Sequence, residues 1–145
     1  MAQERIQAAA IPYRRSPFGG YEVLLVSCSR GGWGLPKGGV KGGQSPEQAA
    51  SAESLEEAGI LGQIEETLGW FRYRKRGKKN LVHVFPLCVE RVLARWEEEG
   101  CRHRVWVSLT EASSLLRRPE VERFLIDLRH QLLARDTPPP LRLVA

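Results

Sequence analysis

Three glutamates, Glu53, Glu56 and Glu57, stand at spacing i, i+3, i+4. Wound on a helix at about 100° per residue they share one face, where each like-charged pair costs roughly 0.2–0.5 kcal/mol. A divalent cation removes that penalty. Carboxylate oxygens are hard ligands, suited to Mg²⁺ or Mn²⁺. The competing reading is a solvated acidic face, and the chain just before the helix bears on the choice. Gly38, Gly39, Gly42 and Gly43 let the backbone approach closely and offer its carbonyl and N–H groups to the same place.

Other candidates lie further along. Glu97, Glu98 and Glu99 form an acidic run, either a solvated loop or a source of further carboxylates for a site. Arg72, Arg74, Lys75, Arg76, Lys78 and Lys79 put six cations in eight positions around Gly77, which reads as a hairpin tip. Strand alternation sends Arg72, Arg74 and Arg76 to one side, where guanidinium groups suit polyphosphate. A solvated tip is one alternative. RNA stacked on the interleaved Trp70, Phe71 and Tyr73 is another, and is not favoured. Arg30 and Lys37, flanking the glycine-rich loop, are two more phosphate-binding candidates.

The elements that must position these residues follow from local signals. Ser45 is an N-cap with Pro46 at the first helical position and Gln48 completing a capping box. Gly59 suits a left-handed C-terminal cap, so the helix is expected over 46–58. Residues 4–13 end in an apolar first strand, 14–20 are turn-rich, and YEVLLVS at 21–27 reads as a buried strand. Strands are expected in 60–74, with Gly62 and Gly69 as bulges or bends. Another is expected over 80–89, where Pro86 argues for an edge or a bulge. Residues 91–100 are ambiguous between a helical turn and a loop, and 104–107 is a last strand. Ser108 with Glu111 caps a further helix. Val121, Phe124, Leu125, Leu128, Leu132 and Leu133 mark an apolar stripe on a helix over 119–134. This order fits a mixed sheet with helices on both faces.

Composition sets the bounds. A chain of 145 residues has room for one domain with a real core, read here as 1–145 with tails at 1–5 and 136–145. Its net charge of +5 favours anionic partners, nucleic acid or small polyphosphate alike. No apolar run is long enough to span a membrane, and the N-terminus lacks the apolar segment of a signal peptide, so a cytoplasmic protein is expected. Cys28, Cys88 and Cys101 form no metal or disulfide pattern; Cys28 and Cys88 read as buried, Cys101 as exposed. His83, His103 and His130 do not cluster and read as structural.

The stretch from Gly38 to Ile60 resembles the Nudix hydrolase signature G-x5-E-x7-R-E-U-x-E-E-x-G-U, U being aliphatic. Gly38, Glu53, Glu56, Glu57, Gly59 and Ile60 match in register. Gln44 stands at the first glutamate, Ala52 at the arginine and Ser54 at an aliphatic position. VLLVSCSR, WGLPKGG, the basic hairpin and RVWVSLTEA look like the diphosphoinositol polyphosphate phosphohydrolase branch, so about residues 8–130 are covered. Diadenosine polyphosphate hydrolases share the LPKG sequence.

The resemblance implies an α/β/α sandwich built on a mixed β-sheet and the motif loop-helix. It also implies metal-dependent cleavage of a phosphoanhydride: a nucleoside-diphosphate-linked compound, a dinucleoside polyphosphate or a diphosphoinositol polyphosphate. By position, Gly38 (through its carbonyl), Glu53, Glu56 and Glu57 are the expected ligands of Mg²⁺ or Mn²⁺. Glu53, Glu57 and Glu98 are the expected catalytic groups, and Arg30, Lys37, Arg72, Arg74 and Arg76 the expected substrate contacts. Gln44 brings no charge to a metal site and Ala52 no bidentate clamp. The alternative is therefore a catalytically weakened domain that binds polyphosphate or RNA. A monomer and a homodimer fit the sequence equally.

Overall fold

The computed structural model describes residues 3–137 and Leu141. The elements run β1 (Arg5–Arg15), β2 (Tyr21–Ser27), β3 (Trp33–Gly34), β4 (Lys37–Gly39), α1 (Pro46–Ala58), β5 (Ile60–Ile64), β6 (Gly69–Lys75), β7 (Lys78–Val92), β8 (Arg104–Ser108), α2 (Leu109–Leu116) and α3 (Pro119–Asp136). They build a mixed sheet in the order β3-β2-β1-β7-β5, with β4 on β1, β6 on β7 and β8 on β2. The β1–β7 pair is parallel over nine registered residues, and the other pairings are antiparallel.

Both faces of the sheet are covered, which is why β1 and β2 read as continuous apolar runs. Ala9, Ile11, Val23, Leu25, Val82 and Val84 face Val121, Phe124, Leu125 and Leu128 of α3. Their neighbours Ala8, Ala10, Leu24, Val26, Phe85 and Leu87 face Ala49, Ala50 and Ala58 of α1. The alternation holds through Pro86, which is neither at an edge nor in a bulge: Ile11 of β1 pairs with it on one side. On the other side β6 ends opposite Val84 and β5 begins opposite Leu87. Glu65 N–H donates to the Pro86 carbonyl at 2.9 Å, so the N–H that proline lacks falls where one partner strand hands over to the next. The irregularity lies instead at Leu61/Gly62, as expected for Gly62.

Other expectations shift. Leu133 is 51% exposed, because the apolar stripe of α3 ends on Leu132. Cys28 is exposed in the turn beyond β2, whereas Cys88 is half-buried. The short strands β3 and β4 have too few residues to show periodicity. Arg5 already belongs to β1. Asp136 ends α3 and pairs with Arg15 at 2.8 Å. Of the expected tails, residues 1–2, 138–140 and 142–145 lie outside the described residues. Among the described residues no helix is long and apolar enough to cross a membrane.

Candidate active site

Helix α1 carries the acidic face, and its ends are fixed as the sequence requires. Ser45 Oγ accepts the Gln48 N–H at 3.1 Å, and Gln48 Oε1 accepts the Ser45 N–H at 2.8 Å. Gly59 closes the helix at φ 64°. Ser54, at an aliphatic position of the pattern, is fully buried. Its hydroxyl is satisfied by donating to the Ala50 carbonyl at 2.9 Å, one turn back. Gln44 does not face the glutamates: its Oε1 accepts the Lys41 N–H at 3.1 Å and closes the turn before the helix.

The glycine-rich loop lies against this face. It is tied to β1 by Ala10 N–H to the Pro36 carbonyl (3.0 Å) and Val40 N–H to the Ile6 carbonyl (2.9 Å). A Cβ on Gly38 would overlap the Glu53 carboxylate, so only glycine lets that carboxylate rest on the backbone there. Glu57 is 4% exposed. Its Oε2 accepts the Lys37 N–H at 3.4 Å, and its Oε1 meets Arg102 Nη2 at 3.3 Å.

The segment between β7 and β8 brings in Glu98. Its N–H donates to the Glu56 carbonyl at 3.0 Å, pinning the segment to α1. Its side chain pairs with Arg102 Nε at 2.8 Å. Arg102 Nη1 donates to the Ser27 carbonyl at 2.9 Å, so one guanidinium joins β2, α1 and this loop. Glu97 is exposed, and Glu99 pairs with Arg95 at 3.1 Å. Burial is the main cause that pushes the Glu57 carboxyl up to about 7; Glu53 and Glu98 add to it, and Arg102 opposes. Burial and then Glu56 raise Glu53 as well.

The donor set is made of hard oxygens, and the Gly38 contact keeps Glu53 against the backbone. That chemistry fits a divalent cation of the Mg²⁺ class. Among the described residues no three acidic, histidine or cysteine groups are gathered closely enough to hold an ion as they stand. Arg102 supplies the positive charge between Glu57 and Glu98.

Beside this acidic pocket lies a basic cleft. A depression of about 200 Å³ between Trp33, Lys37, Lys75, Arg102 and Arg118 adjoins a wider one of about 970 Å³. Arg30, Lys37, Arg74, Lys75, Arg117 and Arg118 line the wider one, against one carboxylate, Glu120. Tyr73 forms part of its floor under the Lys37 ammonium (5.5 Å) and the Arg118 guanidinium (5.2 Å).

Of the expected substrate contacts, Arg30, Lys37 and Arg74 come to the cleft, and Arg72 and Arg76 do not. Arg72 pairs with Glu4 at 2.7 Å and stacks on Trp70. Arg76 sits at φ 52° beside Gly77 at φ 76°, so it belongs to the turn and strand alternation ends at Lys75. Lys75, on the opposite face from Arg72 and Arg74, reaches the cleft instead. Sequence reasoning missed Arg102, Arg117 and Arg118. Arg102 carries no local signal, whereas the Arg-Arg-Pro between two helices was a legible cationic linker.

The NUDIX domain family model matches residues 4–128. Nudix hydrolase 21, chloroplastic, of Arabidopsis thaliana is 44% identical over 112 residues, 72% of this chain and 56% of that protein. Diphosphoinositol polyphosphate phosphohydrolase 3-alpha of Mus musculus is 37% identical over 99 residues, 66% of this chain and 60% of that protein. The chain thus spans less than two thirds of the length of these relatives. Among solved structures, the C. elegans Ap4A hydrolase in a binary complex superposes with a TM-score of 0.75 at 26% identity, covering 90% of this chain and 98% of that one.

Proposed function

The chain belongs to the NUDIX domain family, and from that premise we propose that it is a metal-dependent hydrolase of a phosphoanhydride bond in a small, highly anionic substrate. One observation carries the reading: Lys37 joins a buried acidic pocket to a cleft whose charged lining residues are cations apart from Glu120. Its backbone N–H meets Glu57 and its side chain lines the cleft. A diphosphate laid along the cleft brings its charge to the cations and its anhydride to the carboxylates.

Glu53, Glu56, Glu57 and the Gly38 carbonyl would hold the ion, Mg²⁺ or Mn²⁺. When bound it neutralises phosphate oxygens and lowers the pKa of a coordinated water. The protein's own part is orientation. Lys37 N–H and Arg102 hold the two oxygens of Glu57. Glu98, anchored to α1 and not fully buried, is the group positioned to take a proton from water. Lys75, Arg74, Arg117 and Arg118 receive the remaining phosphates.

Within the class, the cleft favours a polyphosphorylated compound such as a diphosphoinositol polyphosphate over a dinucleoside polyphosphate. The Tyr73 ring is already covered by two cations, and few aromatic faces are left for a base. RNA is disfavoured on the same ground, since the exposed Trp70 lies in a separate depression beneath Arg72. Three free cysteines suit a reducing compartment such as the cytoplasm.

The test is a panel of diphosphoinositol polyphosphates, dinucleoside polyphosphates and nucleotide sugars with Mg²⁺ or Mn²⁺. Turnover of a diphosphate-bearing compound, lost in Glu57→Gln, is expected. Micromolar binding without hydrolysis of any of them would replace the enzyme by a binding module, the outcome that Gln44 and Ala52 would explain.

A further inference from the structure

The family pattern asks for an arginine at position 52, beside the catalytic glutamates, and this chain has Ala52 there. We infer that Arg102, from the loop between β7 and β8, is the positioning residue that replaces it, orienting Glu57 and holding Glu98 beside it. The inference rests on the hydrolase reading above.

Each nitrogen of the Arg102 guanidinium has a partner. Nε bonds Glu98 at 2.8 Å, Nη2 faces Glu57 at 3.3 Å and Nη1 donates to the Ser27 carbonyl at 2.9 Å. The side chain also borders the cleft, so a direct contact with substrate phosphate is the competing role that the test must separate. The Ser27 bond fixes the guanidinium to a buried strand, so its position does not depend on the loop alone. Glu57 is then aimed from two sides, by Arg102 on Oε1 and by the Lys37 N–H on Oε2.

Glu98 depends on the same group. Its loop meets α1 through Glu98 N–H to the Glu56 carbonyl at 3.0 Å and meets the helix cap through Leu93 N–H to the Gly59 carbonyl at 2.8 Å, and the Arg102 N–H returns to the Glu98 carbonyl at 2.9 Å. Without the guanidinium, two carboxylates on two segments would face each other and separate. A planar fork that bridges two carboxylates is a task arginine performs and a lysine point charge does not. Position 52 carries no charge, and the charge beside Glu57 arrives from some fifty residues further along the chain.

The experiment uses the full chain and the variants Arg102→Ala, Arg102→Gln (which keeps a donor for Ser27), Arg102→Lys, and Arg102→Ala combined with Glu57→Gln. Mn²⁺ binding is read by calorimetry, tripolyphosphate binding is read without metal, and turnover is followed on the best substrate of the panel. Arg102→Ala and Arg102→Gln are expected to weaken Mn²⁺ by about tenfold, the scale of losing a group that orients a ligand. They should lower kcat by about 100-fold with KM within about threefold. Tripolyphosphate affinity stays within about threefold, and Lys falls between Arg and Ala. In the Glu57→Gln background the loss on removing Arg102 should be at least about fivefold smaller, as coupled neighbours require.

Tighter Mn²⁺ binding in Arg102→Ala would make the guanidinium a mere competitor for Glu57 and overturn the inference. So would a tenfold loss of tripolyphosphate binding with Mn²⁺ binding unchanged, or equal losses in both backgrounds. A parent chain that hydrolyses nothing overturns the activity reading alone, because the Mn²⁺ titrations still decide the role of Arg102. A parent chain that binds no Mn²⁺ overturns the inference whatever its activity.

Discussion

Glu57→Gln should make the metal-free protein more stable, and only above a definite pH. Glu57 is almost completely enclosed, and burial raises its carboxyl from the ordinary 4.5 to about 7. In the unfolded chain the group loses its proton near 4.5, whereas in the folded chain it keeps it until about 7. Between those values the folded state binds the extra proton, so stability falls as pH rises through that window. At 1.36 kcal/mol per pH unit the loss comes to about 3 kcal/mol. The side chain is only 5% exposed, so solvent screening removes little of it.

Glutamine has no proton to lose. It keeps an oxygen for the Arg102 N–H, and its remaining differences from glutamate do not vary with pH. The melting temperature of Glu57→Gln relative to the parent should therefore climb by about 6–12 °C from pH 4.5 to 7.5, at 2–4 °C per kcal/mol for a chain of this size, and then level off. The assay is thermal melting of both proteins in EDTA at half-unit pH steps, where carboxylates not coupled to Glu57 cancel in the difference. Adding Mn²⁺ at pH 8 should reverse the order, since only the parent keeps the charge that holds the ion. A difference that stays flat, or that shrinks as pH rises, would show that Arg102 outweighs burial and that Glu57 ionises like a surface glutamate.

Two glycines separate site from scaffold. Gly38→Ala collides only with the mobile end of Glu53, so we expect at least a tenfold loss of turnover with stability changed by no more than about 1 kcal/mol, read by kinetics and melting of one preparation. Gly62→Ala collides with the Cys88 carbonyl at the sheet irregularity and should cost more than about 3 kcal/mol in urea unfolding. For the cleft, Lys75→Ala with Arg118→Ala should raise KM for a polyphosphate by about tenfold or more, at the scale of two charge-assisted contacts. Arg72→Ala with Arg76→Ala should leave it within about threefold, because Arg72 is held by Glu4 and exposed pairs contribute little. The reverse ranking would move the substrate to the hairpin's outer side.

What could be read in the sequence was local. The limits of α1 follow from Ser45, Pro46, Gln48 and Gly59, each acting within one turn of its own position, and the strand at 21–27 follows from its composition. Pro86 misled because a proline's missing N–H is judged against partner strands that a single segment does not reveal. It happens to face the gap between β6 and β5. Arg74 and Lys75, on opposite faces of β6, both line the cleft whereas Arg72 does not, so alternation alone does not tell which residues reach it. Arg117 and Arg118 line the cleft from the turn between α2 and α3, where Arg117 sits at φ 50°.

The same distinction bears on the departures at 44, 52 and 54. Each looks like a loss when compared with a linear pattern, but the structure gives each a different meaning. Ser54 costs an apolar contact and recovers it as a bond to its own helix. Gln44 has been turned to the loop, where an uncharged acceptor for the Lys41 N–H is all that is needed. Ala52 is the one that removes a charge from the acidic pocket. Burial is the main cause that raises Glu53 and Glu57, and neighbouring carboxylates add to it. Among the described residues Arg102 pairs with both Glu57 and Glu98, and its charge opposes the burial that raises the Glu57 carboxyl, so the balance between protonated and ionised Glu57 near neutral pH depends on it.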